Sequence, residues 1–187
     1  MIEFKKNIEK ILPYNKEQYF DFLDDDLDIV SDWHGVSIQI ADGKTEIDIN
    51  IDRYIEIFKT IILKLDKDLP WIINHYYKDM NWFPNDNDNL NSFRTLFKEN
   101  NIPNTFKGSI IFMKDDLMKF AKDLIMYPYV LSYRDLDISH SVIPFIIKIT
   151  NHLTIDLIST DKTTLKLIVD NVFSKDITIK EYREISL

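Results

Sequence analysis

The sequence predicts an α+β fold, with a mainly antiparallel sheet packed against helices. Three observations carry this prediction. Apolar and polar residues alternate from Val36 to Ile40 and again near the C-terminal third, which is the period of a strand. Between these runs, apolar residues recur at three- and four-residue spacing, as on one face of a helix. The links between strand candidates are short, and short links favour antiparallel pairing.

Taken in order, Ile2, Phe4, Ile8, Ile11 and Leu12 form a rough helical stripe over 2–12 that Pro13 ends. Residues 15–30 read as a second helix. Tyr19, Phe20, Phe22, Leu23 and Leu27 are its apolar side, and Asp21, Asp24, Asp25, Asp26 and Asp28 its acidic one. Val36, Ile38 and Ile40 alternate with Ser37 and Gln39, and Ile47, Ile49 and Ile51 alternate with Asp48 and Asn50. Asp42-Gly43 lies between, so 36–51 reads as a hairpin with glycine supplying the positive φ of its turn. Residues 52–66 then form an amphipathic helix with Asp52 as N-cap.

Pro70 starts a short helix running to about Lys78. Residues 81–89 form a polar loop. Leu90, Phe93, Leu96 and Phe97 mark a helix that stops near Pro103. Phe106–Phe112 reads as a strand, Asp115–Met126 as a helix and Tyr129–Tyr133 as a strand. Val142–Thr150 and Leu153–Ser159 are two strands around Asn151-His152. Thr160 or Asp161 caps a helix to about Phe173, and Ile177–Ile185 adds an edge strand. The chain reads as a single domain, with a subdivision near 100–105 as the alternative: a helical and hairpin acidic part over 1–102 and a compact α+β part over 103–187.

Composition narrows the function classes. The chain has 187 residues and no cysteine, which excludes a disulfide framework, a thiolate metal site and a cysteine nucleophile. Its 45% hydrophobic and 29% charged content belongs to a globular chain with a real core. The N-terminus lacks the apolar stretch of a signal peptide, and no run approaches the roughly 18 apolar residues of a membrane span. A soluble cytoplasmic protein with no membrane partner is the expectation. The net charge of −8 argues against nucleic acid as a partner.

That charge is uneven. Residues 1–52 hold 13 acids and 5 bases, whereas residues 53–187 hold 18 of each. The N-terminal quarter therefore carries the whole excess, and Asp21 to Asp32 holds six aspartates and no base. Like charges so close together repel, so a sequence that keeps them gives up stability. A solvated face that aids solubility is one reading. A docking surface for a basic partner is the other, because acidic patches speed and orient association with basic ones. Weak binding of a divalent metal by the Asp cluster is a third.

Motifs for catalysis are sparse. There is no H-E-x-x-H, G-x-S-x-G, Walker A or G-x-G-x-x-G. Asp86-Asn87-Asp88-Asn89-Leu90 resembles the start of a calcium loop. However, Leu90 replaces an oxygen ligand, Asn91 the sixth-position glycine and Phe97 the closing glutamate. His34, His75, His140 and His152 are the imidazoles. His34 follows Asp32 in an exposed turn, and His75 sits at the core edge among Trp71, Tyr76 and Tyr77. His140 lies in a loop between Ser139 and Ser141. His152 and Asp156 point to one side of a strand, about 13 Å apart at roughly 3.3 Å per residue, too far to share a proton. Trp71, Tyr76, Tyr77, Trp82 and Phe83 form an aromatic-dense stretch that reads mostly as core, with Trp82 and Phe83 as partner anchors where the loop exposes them.

These observations lead to a non-enzymatic binding protein of bacterial or phage type. In its most specific form it is an immunity- or antitoxin-like inhibitor that occludes a basic, nuclease-like toxin. Asp21, Asp24, Asp25, Asp26, Asp28, Asp32 and Asp48 meet its lysines and arginines, with Trp33 as an apolar anchor. The sequence implies no cofactor and no catalytic residue. Competing readings are a hydrolase using a divalent metal on Asp32, His34 and Asp48, and a phage or structural assembly subunit.

Overall fold

A computed structural model describes residues 2–6, 11–23, 32–40, 47–65, 68–75, 80–83, 90–131 and 134–182, with the side chains of 47–49 left aside. Among them, eight strands form one sheet and six helices cover it. The strands are β1 (Glu3–Lys5), β2 (His34–Ile40), β3 (Trp71–His75), β4 (Ser109–Phe112), β5 (Leu136–His140), β6 (Phe145–Ile149), β7 (Ile155–Ser159) and β8 (Ile177–Tyr182). The helices are α1 (Lys16–Leu23), α2 (Ile47–Lys64), α3 (Asn91–Glu99), α4 (Lys114–Lys119), α5 (Ala121–Val130) and α6 (Lys162–Val172). The sheet order is β1-β4-β3-β5-β6-β7-β2-β8, and every neighbouring pair is antiparallel. The α+β class with antiparallel pairing is therefore the observed one. Strands from both sides of residues 100–105 share this sheet.

The two faces of the sheet are covered unequally. On one face, Ile73, Ile138, Ile147, Leu157 and Val36 pack against Phe58 and Ile61 of α2, Leu124 of α5, Leu165 and Ile168 of α6, and Phe93 of α3. This is the main core. On the other face, Tyr19 and Phe22 of α1 join Trp33, Ile146 and Ile158 in a small separate cluster. The five residues of β5, β6 and β7 are each buried along their whole length, as strands sandwiched between layers must be.

Five expectations are corrected. The hairpin over 36–51 is absent: β2 forms, but Ile47 begins α2. Three alternating isoleucines compete here with a longer stripe. Ile51, Tyr54, Ile55, Phe58, Ile61 and Ile62 continue at helical spacing, and five of these six lie buried in the core. Asp52 is consequently an interior helical residue and not a cap. Residues 3–5 form an edge strand in place of a helix, with Glu3 and Lys5 paired at 2.7 Å and Phe4 edge-on to Phe97 and Phe106.

After Pro70, Trp71–His75 is a strand between β4 and β5, where β-branched Ile72 and Ile73 suit a doubly covered position. The segment at Tyr129 is the end of α5, which tolerates Pro128 within it; β5 begins only at Leu136. The helix expected over 15–30 is seen as α1 to Leu23, its remainder lying outside the described residues, and the helix expected over Asp115–Met126 is two, α4 and α5, that meet at Phe120. Asp161 caps α6 by accepting from the Thr163 N–H at 2.9 Å, and β8 is an edge strand. The loop from 84 to 89, with its calcium-like Asp86 and Asp88, lies outside the described residues.

Candidate functional site

α1, which carries Asp21, lies on the second face of the sheet. Asp21 is half-buried on α1, and Asp32 is exposed just before β2. Asp24, Asp25, Asp26 and Asp28 lie outside the described residues. Trp33 is not a surface anchor. It is 4% exposed, edge-on to Tyr14 at 5.3 Å between ring centres and 5.7 Å from Tyr19. Its indole belongs to the small cluster that seats α1, so it serves the scaffold. The same contacts anchor both ends of the acidic run, at Phe22 and at Trp33.

Asp32 and His34 stand at the start of β2, and Asp48 lies in the first turn of α2. Burial lowers the His34 pKa, Lys162 lowers it further, and Asp32 opposes both. Among the described residues, no three His, Asp or Glu side chains are grouped to hold a metal ion.

A different group of ionisable residues is brought together. Asn74, Asp137, Lys148, Asp156, Ser37 and Lys180 occupy matched register positions on β3, β5, β6, β7, β2 and β8. They form a polar row straight across the second face. Asp137 is fully buried, and Lys148 and Asp156 nearly so. Lys148 Nζ lies 3.3 Å from Asp135 Oδ2 and 3.7 Å from Asp137 Oδ1.

Tyrosine hydroxyls complete the row. Tyr19 donates to Asp137 Oδ1 at 3.0 Å and Tyr182 to Asp156 Oδ2 at 2.6 Å. Tyr14 shares a 2.8 Å hydrogen bond with Ser139, and Thr154 donates to Asp156 Oδ1 at 3.1 Å. Burial raises the Asp137 carboxyl above its ordinary range, although Lys148, Lys16 and the Tyr19 hydroxyl pull it down. Asp156 is raised by the same cause against Tyr182, Ser37 and Thr154.

Sequence reasoning missed this row, yet it left a signal. Each of LDISH, FIIKI and IDLIS carries one Asp or Lys in a strand that is, His140 apart, otherwise apolar or small. Charges are rarely buried unless they are paired, so three such strands side by side imply mutual pairing.

His140 and His75 have local structural partners. His140 closes β5 in place of the expected loop and is fully buried. Its Nδ1 accepts from the Val142 and Ile143 N–H groups at 3.1 and 3.2 Å, which fixes the turn to β6. His75 Nε2 is 2.7 Å from the Tyr127 hydroxyl, which also bonds the Trp82 carbonyl. Burial first, and Arg134 second, push His75 down to about 3. Trp82 in turn donates from its indole to the Gly108 carbonyl at 2.8 Å. His152 is exposed in the β6–β7 turn, where its N–H meets the Thr150 hydroxyl at 3.3 Å.

The chain matches no protein-family model, no curated protein and no solved structure. No helix among the described residues is long and apolar enough to cross a membrane.

Proposed function

We propose that this protein is a non-enzymatic protein-binding module. In its most specific form it is an immunity- or antitoxin-like inhibitor that occludes a basic, nuclease-like toxin through the acidic lobe at residues 17–52. The observation that carries this reading is the confinement of the entire −8 excess to the first 52 residues. Two further features support it. The acidic run is held at both ends by Phe22 and Trp33 in one cluster, which limits the ordering entropy lost on binding. The buried charges of the sheet are engaged with one another and with tyrosine hydroxyls beneath α1.

With Trp33 turned inward, the contact in this reading is carried by the aspartates. Asp21, Asp24, Asp25, Asp26, Asp28 and Asp32 meet lysines and arginines, and Asp48 extends the patch. Capture from the native host, followed by identification of the partner and stopped-flow association, tests this. The partner is expected to be basic. Its association rate falls steeply between low and physiological salt, and again when Asp24, Asp25 and Asp26 become Asn. A rate indifferent to both changes overturns the reading.

A further inference from the structure

We propose that β1 is a contact with a second copy of this chain: two β1 strands pair antiparallel about a two-fold axis at Phe4 and join two sheets edge to edge. This inference is independent of the partner reading, because β1 and β2 lie toward opposite ends of the sheet. It rests on two features of β1 that separately select the same register.

The first feature is the backbone. β1 is the end strand, and among the described residues only β4 pairs with it. Along an antiparallel strand, the N–H and C=O groups of successive residues point to opposite sides. A Cβ added to Gly108 would collide with the Lys5 carbonyl oxygen, so the main chain of Lys5 is turned toward β4. The bond from the Ser141 N–H to the Pro70 carbonyl gives the same phase through the ladders. It makes Ile72–Ser139 a hydrogen-bonded pair, then Ile73–Ile110, and then Glu3–Ile111 and Lys5–Ser109. Phe4 is left with its N–H and C=O facing outward. Such a residue exchanges both bonds with one residue of another antiparallel strand, and a two-fold axis makes that residue Phe4 of the second copy.

The second feature is charge. Glu3 and Lys5 stand on one face of β1, 2.7 Å apart and both exposed. The register about Phe4 sets Glu3 opposite Lys5 of the second copy, and Lys5 opposite its Glu3. These flanking pairs are the ones in which antiparallel side chains approach most closely. Four charges then alternate in sign around the axis. Moving the axis to Glu3 or to Lys5 sets like charges opposite each other, which is unfavourable. The other edge lacks this match: β8 paired with itself about Ile179 sets Lys180 opposite Thr178 and Glu181 opposite Ile177. Charges on an edge strand normally block pairing with another chain, whereas those of β1 complement their own copy. Three residues bury little area, so the dimer is weak and exchanging.

Sedimentation velocity of the full chain between about 10 μM and about 1 mM tests this. The average mass is expected to rise with concentration toward that of a dimer. Glu3→Lys and Lys5→Glu each put like charges into both flanking pairs and should weaken association about tenfold or more. An equimolar mixture of the two variants restores opposite charges in both pairs, so it should associate as the wild type does. A wild type that stays monomeric throughout, a dimer that both single variants leave intact, or a mixture no better than either variant alone overturns the proposal.

Discussion

Asp137 and Lys148 face each other across the β5–β6 ladder, both buried, with the ammonium nitrogen 3.7 Å from the carboxylate oxygen. Such a pair is asymmetric in its energetics. Removing one partner leaves an uncompensated buried charge and costs about 3–5 kcal/mol, whereas replacing both by apolar groups is often neutral. Lys148→Met alone is therefore expected to destabilise strongly, because Asp135, Asp137 and Asp156 then lose the cation that lies between them. Adding Asp137→Leu should recover a large part of the loss. Urea unfolding of the two single variants and the double variant measures the coupling, and strictly additive losses would show that the pair is not coupled.

His75 makes acid stability predictable in sign. Its pKa drops to about 3 in the fold, while the unfolded chain titrates near the ordinary value of 6.5. Below pH 6.5 the unfolded state takes up a proton that the native state refuses. Stability is thus intact above pH 6.5 and falls as pH drops toward 3, by an amount of order 4–5 kcal/mol at about 1.4 kcal/mol per unit. Asp137, Asp156 and Asp123 work in the opposite direction, since each is raised by burial and favours the folded state as it protonates. Comparing wild type with His75→Gln cancels the carboxylates. The wild type should lose its urea midpoint relative to the variant between pH 6.5 and 4; parallel curves would remove the imidazole from the account.

Legibility in the sequence depended on the length of each pattern. Elements with a long stripe or a side-chain cap were legible: α3, α6 with Asp161, and the β6–β7 pair around its turn. Short apolar segments were not. Trp71–His75 and Glu3–Lys5 hold too few residues to separate period two from 3.6, and their identity as strands depends on neighbours distant in sequence. The Ile47–Ile51 run carries the same ambiguity, and the helical stripe from Tyr54 to Ile62 resolves it. The inward turn of Trp33 was hidden for another reason. Its partners Tyr14, Tyr19, Ile146 and Ile158 meet only once α1 folds over β6 and β7. The polar row was hidden likewise, because Asp137, Lys148 and Asp156 become neighbours only through strand register.

Gly35 controls how closely two rings approach the sheet. A Cβ added there would lie 2.6 Å from Tyr182 Cδ2 and 3.3 Å from Phe22 Cζ. Gly35→Ala must therefore push the Tyr182 ring aside, weakening its 2.6 Å bond to Asp156 and the seat of Phe22. A loss of about 1–3 kcal/mol is expected, as for other overpacked sites. Tyr182→Ala vacates the ring's space, so in that background Gly35→Ala should cost much less. A penalty unchanged between the two backgrounds would place the strain elsewhere.

The start of α3 is capped from a distance. Leu90 occupies the cap position with no side-chain hydrogen bond, and its buried apolar side chain cannot supply one. Asp123, on α5, accepts from the Phe93 N–H instead, so one of the helix's orphan donors is satisfied across the helix pair. A carboxylate at a helix N-terminus also meets the positive end of the helix dipole. Asp123→Ala is expected to cost about 1 kcal/mol, the usual worth of a cap, and to loosen α3 against α5. Asp123→Asn keeps an acceptor oxygen and should cost only part of that. Because Phe93 packs on Phe97, Phe112 and Phe120, the loss should appear as faster exchange of the first α3 amides before any change in the sheet. Equal stability of Asp123→Ala and the wild type would mean that water caps α3 as well as the carboxylate does.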